Sequence, residues 1–161
     1  IKSGDFIFDM RPFFFVNILS IDWSFMKTCL NCGETINPRN KFCNNYCQNE
    51  YQYTQYIKRW KNGLETGLKG KYSISNYIVR YLFEKYNGQC SRCGWHEENP
   101  YTHKVPLEIE HIDGNYKNNN ESNLDLICPN CHSLTATYKG ANNGHGRKER
   151  SKYYLGKASL V

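Results

Sequence analysis

Between Glu110 and Leu134 the chain reads EHIDGNYKNNNESNLDLICPNCHSL. A carboxylate and an imidazole stand side by side at Glu110 and His111. Asn123 follows in the middle, and His132 closes the stretch directly after the pair Cys128 and Cys131. An earlier pair, Cys90 and Cys93, lies upstream. Two Cys-x-x-Cys pairs can face one tetrahedral zinc ion. Glu110 and His132 supply an anionic oxygen and a nitrogen for a harder cation, leaving positions open for water and phosphate oxygens, as magnesium prefers. An imidazole suits a general base at neutral pH, which places His111 in that role. It needs a partner to orient it, and Asn123 is the candidate, through its side chain or by tethering the loop backbone. These are the parts required to hydrolyse a phosphodiester.

The zinc staple must position these groups. Cys93 and Cys128 are separated by 34 residues that contain the first half of the site. Such an interval is tolerable because loop-closure entropy grows slowly with length. His132 could replace one cysteine on the zinc, but four cysteines make that unnecessary, so it is expected to be free for the second ion. Residues 105–113 alternate apolar and polar, with Leu107 and Ile109 on one face, and read as a strand. Successive side chains on a strand point to opposite faces, so irregular backbone is expected at 110–113 if Glu110 and His111 are to serve one site. An asparagine-rich loop follows over 114–122, then a strand over 124–127 and a helix from about 130 to 138, stopped by Gly140.

Upstream, Cys29, Cys32, Cys43 and Cys47 form a second possible zinc site, leading into a helix around 49–61 that carries Tyr51, Tyr53, Tyr56 and Trp60 among basic residues. This finger is either an accessory DNA-contacting unit or a folding staple. Residues 62–72 are polar with three glycines and read as a linker. Ser73 or Ser75 caps a helix to about Tyr86, with Ile74, Ile78, Tyr81 or Leu82, and Tyr86 as its core stripe, ended by Asn87-Gly88. Residues 1–25 hold six of the eight phenylalanines, and the apolar run 13–19 is too short to span a bilayer. Met26 precedes the first cysteine pair and is the expected natural start, which would make 1–25 a leader.

Eight cysteines in four close pairs, with carboxylate and histidine residues around the later ones, point to zinc thiolates over disulfides, and to a reducing cytoplasm. The formal charge is +6. Each four-thiolate zinc site carries −2, so two sites reduce the total to +2, and any case for nucleic acid rests on clustering. From Lys139 onward the tail holds Lys139, Arg147, Lys148, Arg150, Lys152 and Lys157 against Glu149 alone. Lys58, Arg59, Lys61, Lys69 and Lys71 form another basic stretch, with Glu65 as its one acid. Clusters of this kind suit phosphate contacts, and also occur as solvated faces.

The stretch ICPNCHSLTATYKG, with Glu110, His111 and Asn123 before it, resembles the HNH endonuclease family, in particular its small phage and bacterial members with two Cys-x-x-Cys pairs. The resemblance covers about residues 77–144. It implies an α+β fold: a zinc-stabilised two-strand-plus-helix metal finger over 73–144, behind a finger and helix over 26–61 and ahead of a basic tail over 145–161. It implies that Glu110 and His132 hold a catalytic Mg2+ or Mn2+, that His111 is the base and that Asn123 steadies it. Lys139, Arg147, Lys148 and Arg150 would grip phosphates of double-stranded DNA, and cleavage would leave 5′-phosphate and 3′-hydroxyl ends. Glutamate stands where the family usually has aspartate or histidine, and its extra methylene bears on ligation and metal preference. The expected function is therefore a metal-dependent DNA endonuclease or nickase. The rivals are a zinc-dependent nucleic-acid-binding protein that does not cut, and an RNase.

Overall fold

The computed structural model of the chain describes residues 26–141, with Lys152 and Leu155. The leader expected over 1–25 and the tail residues Arg147, Lys148 and Arg150 lie outside the described residues. Residues 26–141 have an α+β architecture, with three α-helices and three two-stranded antiparallel pairs among them.

β1 (Lys27–Thr28) and β2 (Thr35–Ile36) flank the first cysteine turn. α1 (Asn45–Lys61) begins four residues earlier than its apolar pattern indicates, because the Asn44 side chain caps it by accepting from the Cys47 amide at 2.8 Å. Its aromatic face is used for packing. Tyr53 and Trp60 are buried, and Tyr56 packs on the main core. That observation favours the staple reading of the N-terminal unit.

Residues 62–72 are no free linker. β3 (Leu68–Lys69) pairs with β4 (Ser73–Ile74), and the segment packs onto the asparagine-rich loop. At Gly67, φ is +75°, and a Cβ there would lie 2.6 Å from the Asn119 Cβ and 2.8 Å from Ile78 Cδ1. Glycine is required on both counts.

α2 (Asn76–Lys85) is capped by Ser75 and ended by Asn87 and Gly88, with the Gly88 amide returning to the Phe83 carbonyl at 2.8 Å. Its Ile78 and Leu82 are fully buried with Trp60 and with Leu124 and Leu126 of the second site strand. One cluster therefore joins α1, α2 and that strand, and a second, of Cys90, Ile127 and Cys128, adjoins it through Leu107. Arg80 locks the two helices from outside. Its guanidinium makes paired bonds of 2.7 and 2.8 Å to Glu50, a third of 2.7 Å to Glu84, and lies over the Tyr53 ring.

β5 (Glu108–His111) and β6 (Leu124–Ile127) pair in regular register, Glu110 opposite Asp125 and His111 opposite Leu124. The irregularity expected from residue 110 begins only after His111, where the chain turns at Ile112 and Asp113. The strand expected over 105–113 is thus shorter, because Pro106 removes one amide and the turn removes the other end. α3 (Pro129–Ser133) also stops early, five residues before the expected Tyr138. Thr135 folds its hydroxyl back onto the His132 carbonyl at 2.9 Å, and Thr137 turns toward Glu110. With α3 ended at Ser133, Thr137 reaches that carboxylate. Among the described residues no helix is long and apolar enough to cross a membrane.

Candidate active site and metal centres

Both cysteine quartets are assembled. Cys29, Cys32, Cys43 and Cys47 form one group, and Cys90, Cys93, Cys128 and Cys131 the other, with ligand atoms in each within 4.8 Å of one another. All eight are free thiols. Zinc–sulfur bonds of about 2.3 Å at tetrahedral angles place sulfurs about 3.8 Å apart. The Cys32–Cys43 sulfurs are 3.7 Å apart and the Cys93–Cys128 sulfurs 3.8 Å. Both groups therefore fit zinc.

Their electrostatics also call for a cation. Burial raises the Cys90 thiol, but backbone amides of Cys128, Cys93 and Arg92 outweigh it and hold it at about 6. Cys131 is pushed up to about 12, first by the Cys93 thiol beside it and then by burial. The N-terminal group repeats the pattern. The Cys32 amide chiefly lowers Cys29 to about 6, and the Cys47 thiol chiefly raises Cys43 to about 12. One thiolate forms readily and then opposes the others, a conflict that a divalent ion removes.

β5 carries the acidic side of the candidate active site, and α3, springing from the second quartet, carries the facing imidazole. Cys128 caps α3 with its sulfur toward the Cys131 amide, and Pro129 occupies the first turn. His132 is thereby aimed back across β5. Its Nε2 lies 3.0 Å from Glu110 Oε2, and its Nδ1 bonds the Glu108 carboxylate. Glu110 is buried, and its other oxygen accepts from the Thr137 hydroxyl. Glu108, Glu110, His111, His132, Thr137, Tyr138 and Lys139 share the wall of one open groove of about 350 Å3.

Glu110, His111 and His132 thus come together, and a regular strand does not prevent it, since the groove opens where β5 ends. Lys139 also reaches the groove, its ammonium 4.8 Å from the Tyr138 ring centroid. Asn123 is placed differently from its nearest expectation. It makes no bond to the His111 ring among the described contacts. Its Oδ1 accepts from the Asp113 amide at 3.0 Å, and its Nδ2 donates to Asp113 Oδ1 and the Asn118 carbonyl, both at 2.8 Å. Asn123 thus bonds the backbone of the turn at Asp113. The ring of His111 is held instead by Asn119, whose Oδ1 lies 2.9 Å from Nε2.

Glu108, Thr137 and Asn119 escaped the sequence reading. Glu108 had a usable signal, since it stands two residues before Glu110 and so on the same strand face. Thr137 and Asn119 had none, because one depends on where α3 ends and the other sits among three consecutive asparagines. The basic stretch at the end of α1 is partly engaged in ion pairs, Arg59 with Glu65 at 2.8 Å and Lys61 with Glu121 at 3.3 Å.

No protein-family model matches the chain, and no solved structure matches it. A curated protein does. The H-N-H endonuclease F-TflIV of Escherichia phage T5 is 38% identical over 94 residues, which is 56% of this chain and 40% of the relative. The chain therefore spans well under half the length of that relative. Over that stretch the chain is similar to a curated H-N-H endonuclease, the family its sequence resembles.

Proposed function

We propose that the chain is a metal-dependent DNA endonuclease or nickase. The observation that carries this reading is the approach of Glu110 Oε2 and His132 Nε2 to 3.0 Å in a groove that His111 also lines. Adjacent ligands of an octahedral ion with bonds of about 2.1 Å are about 3.0 Å apart, so the pair fits magnesium or manganese. Glu108 accepts a hydrogen bond from the Nδ1–H of His132, which leaves Nε2 with a lone pair for an ion. Thr137 holds the second oxygen of Glu110 and fixes the carboxylate plane. A divalent ion held by Glu110 and His132 would supply stabilisation of the charge that develops on the phosphate and the departing sugar oxygen. His111 accepts a proton from the water that attacks the phosphorus in line. Lys139 binds a backbone phosphate at the groove, and the basic residues after it extend that grip. The similarity of the phage relative, named an endonuclease, supports the same reading.

The test compares the natural protein with His111→Ala on supercoiled plasmid with magnesium or manganese. The substitution leaves all proposed ligands in place and should lower the nicking rate on the order of a hundredfold or more. Equal nicking by both proteins removes His111 from the mechanism. Absence of nicking by the natural protein with either metal, with DNA binding retained, establishes the binding protein instead, and cleavage confined to RNA establishes the RNase.

A further inference from the structure

Asn119 is polar, only 4% exposed and bonded on three sides. Its Nδ2 donates to the Thr66 carbonyl at 3.0 Å, and its own carbonyl accepts from the Trp60 indole at 2.7 Å. With Nδ2 directed to Thr66, the atom facing His111 Nε2 at 2.9 Å is the acceptor Oδ1. An acceptor there requires the proton of a neutral His111 ring to be on Nε2. The lone pair is then on Nδ1. The Gly67 backbone lies against the Asn119 Cβ so closely that no side chain fits between them. Asn119 is thus braced by α1 and by residues 62–72, parts of the chain that contain none of the groove residues.

We infer that Asn119 is the positioning residue for His111, fixing the Nε2–H tautomer so that Nδ1 is the proton acceptor, and that α1 acts on the base through the Trp60–Asn119 bond. The role of Nδ1 as base rests on the proposed hydrolysis, while the tautomer does not. The N-terminal unit then belongs to the catalytic arrangement. α1 carries Trp60, Trp60 holds the backbone of Asn119, and Asn119 holds the ring. Asn123 works beside it on a different object, the backbone of the turn at Asp113.

The experiment uses full-length zinc-loaded protein labelled with 15N, without magnesium, at a pH where the ring is neutral. Long-range 1H–15N correlation reads the His111 tautomer, identified by its loss in His111→Ala. The natural protein should show the Nε2–H form. Asn119→Ala should mix the tautomers and lower kcat for plasmid nicking on the order of tenfold to a hundredfold, with KM unchanged. Asn119→Asp keeps an acceptor of the same shape and should restore the tautomer. Trp60→Phe removes the indole N–H from an aromatic that stays packed, and should lower kcat severalfold; it serves as the folded variant if Asn119→Ala fails to retain zinc. A natural protein with the proton on Nδ1 overturns the inference, as do folded Asn119 and Trp60 variants with unchanged tautomer and rate. A natural protein with the Nε2–H form that cuts no nucleic acid refutes the proposed hydrolysis and leaves the tautomer assignment standing.

Discussion

Cys29–Gly33 and Cys90–Gly94 fold into the same knuckle. In each the glycine amide returns to the first cysteine carbonyl, at 2.9 and 2.8 Å, and the glycine has a positive φ, 78° and 74°. In each the partner pair sits at the start of a helix. The difference lies in what separates the halves. Ten residues link Cys32 to Cys43 and contain only the short strand β2. The 34 residues linking Cys93 to Cys128 contain β5, the asparagine loop and β6. Each quartet has two buried cysteines, one exposed and one half-buried, but Cys90 and Cys128 also pack with the fully buried Ile127 of β6. The same local chemistry thus closes a local turn in one place and assembles a groove in the other.

Breaking one quartet at a time tests this comparison most strongly. Structural zinc contributes on the order of 10 to 16 kcal/mol in small zinc domains, as much as a whole domain's stability. Cys128→Ser should lower the zinc content from about two ions to one, abolish hydrogen-exchange protection of the Leu124–Ile127 amides and abolish nicking. Cys43→Ser should lose one ion as well, but keep that protection and lose only part of the activity. Equal damage from both would dissolve the distinction.

Gly67→Ala addresses the junction between the two regions. The new Cβ would strike Asn119 and Ile78 in a conformation that alanine disfavours. A loss of about 2 to 3 kcal/mol follows from overpacking and backbone strain together. A thermal melt at fixed zinc should register it, and an unchanged melting temperature would show that the hairpin and loop are not in firm contact.

Glu121 gives the smallest effect and a pH signature. The Tyr81 hydroxyl chiefly, then Lys85 and Lys61, lower its carboxyl to about 2. A carboxylate depressed in the folded state stabilises fully above its unfolded value of about 4.3 and loses that contribution as pH falls toward the folded value. About a third of the side chain is exposed, so solvent screening limits the effect to about 1 kcal/mol. The stability difference between the natural protein and Glu121→Gln should be constant near neutrality and shrink below about pH 4.5. A difference that grows on acidification would contradict the ion-pair assignment.

Much of the centre was readable because its constraints are local. The cysteine spacing implied the metal groups, Ser73 or Ser75 and Asn87-Gly88 bounded α2, and the strand expected over 124–127 coincides with β6. The α3 boundary was not readable, since residues 134–138 carry a helix-compatible pattern that a contact from Thr137 to Glu110 overrides. Residues 62–72 looked like a linker because glycine and polar composition is shared by linkers and by tight hairpins.

The sequence by itself determined the chemistry present: eight thiols at metal-binding spacing, and a carboxylate and two imidazoles flanking one asparagine-rich loop. Residue types and short intervals carry that information, because a thiolate or an imidazole has the same ligand chemistry wherever the chain places it. Tertiary structure alone decided the pairing of groups. His132 lies between Glu108 and Glu110, and His111 faces Asn119, held from 59 residues upstream by Trp60. The reason is physical: those contacts are selected by the packing of α1, α2 and β6 into one core, and burial acts between segments whose separation along the chain leaves no periodic trace.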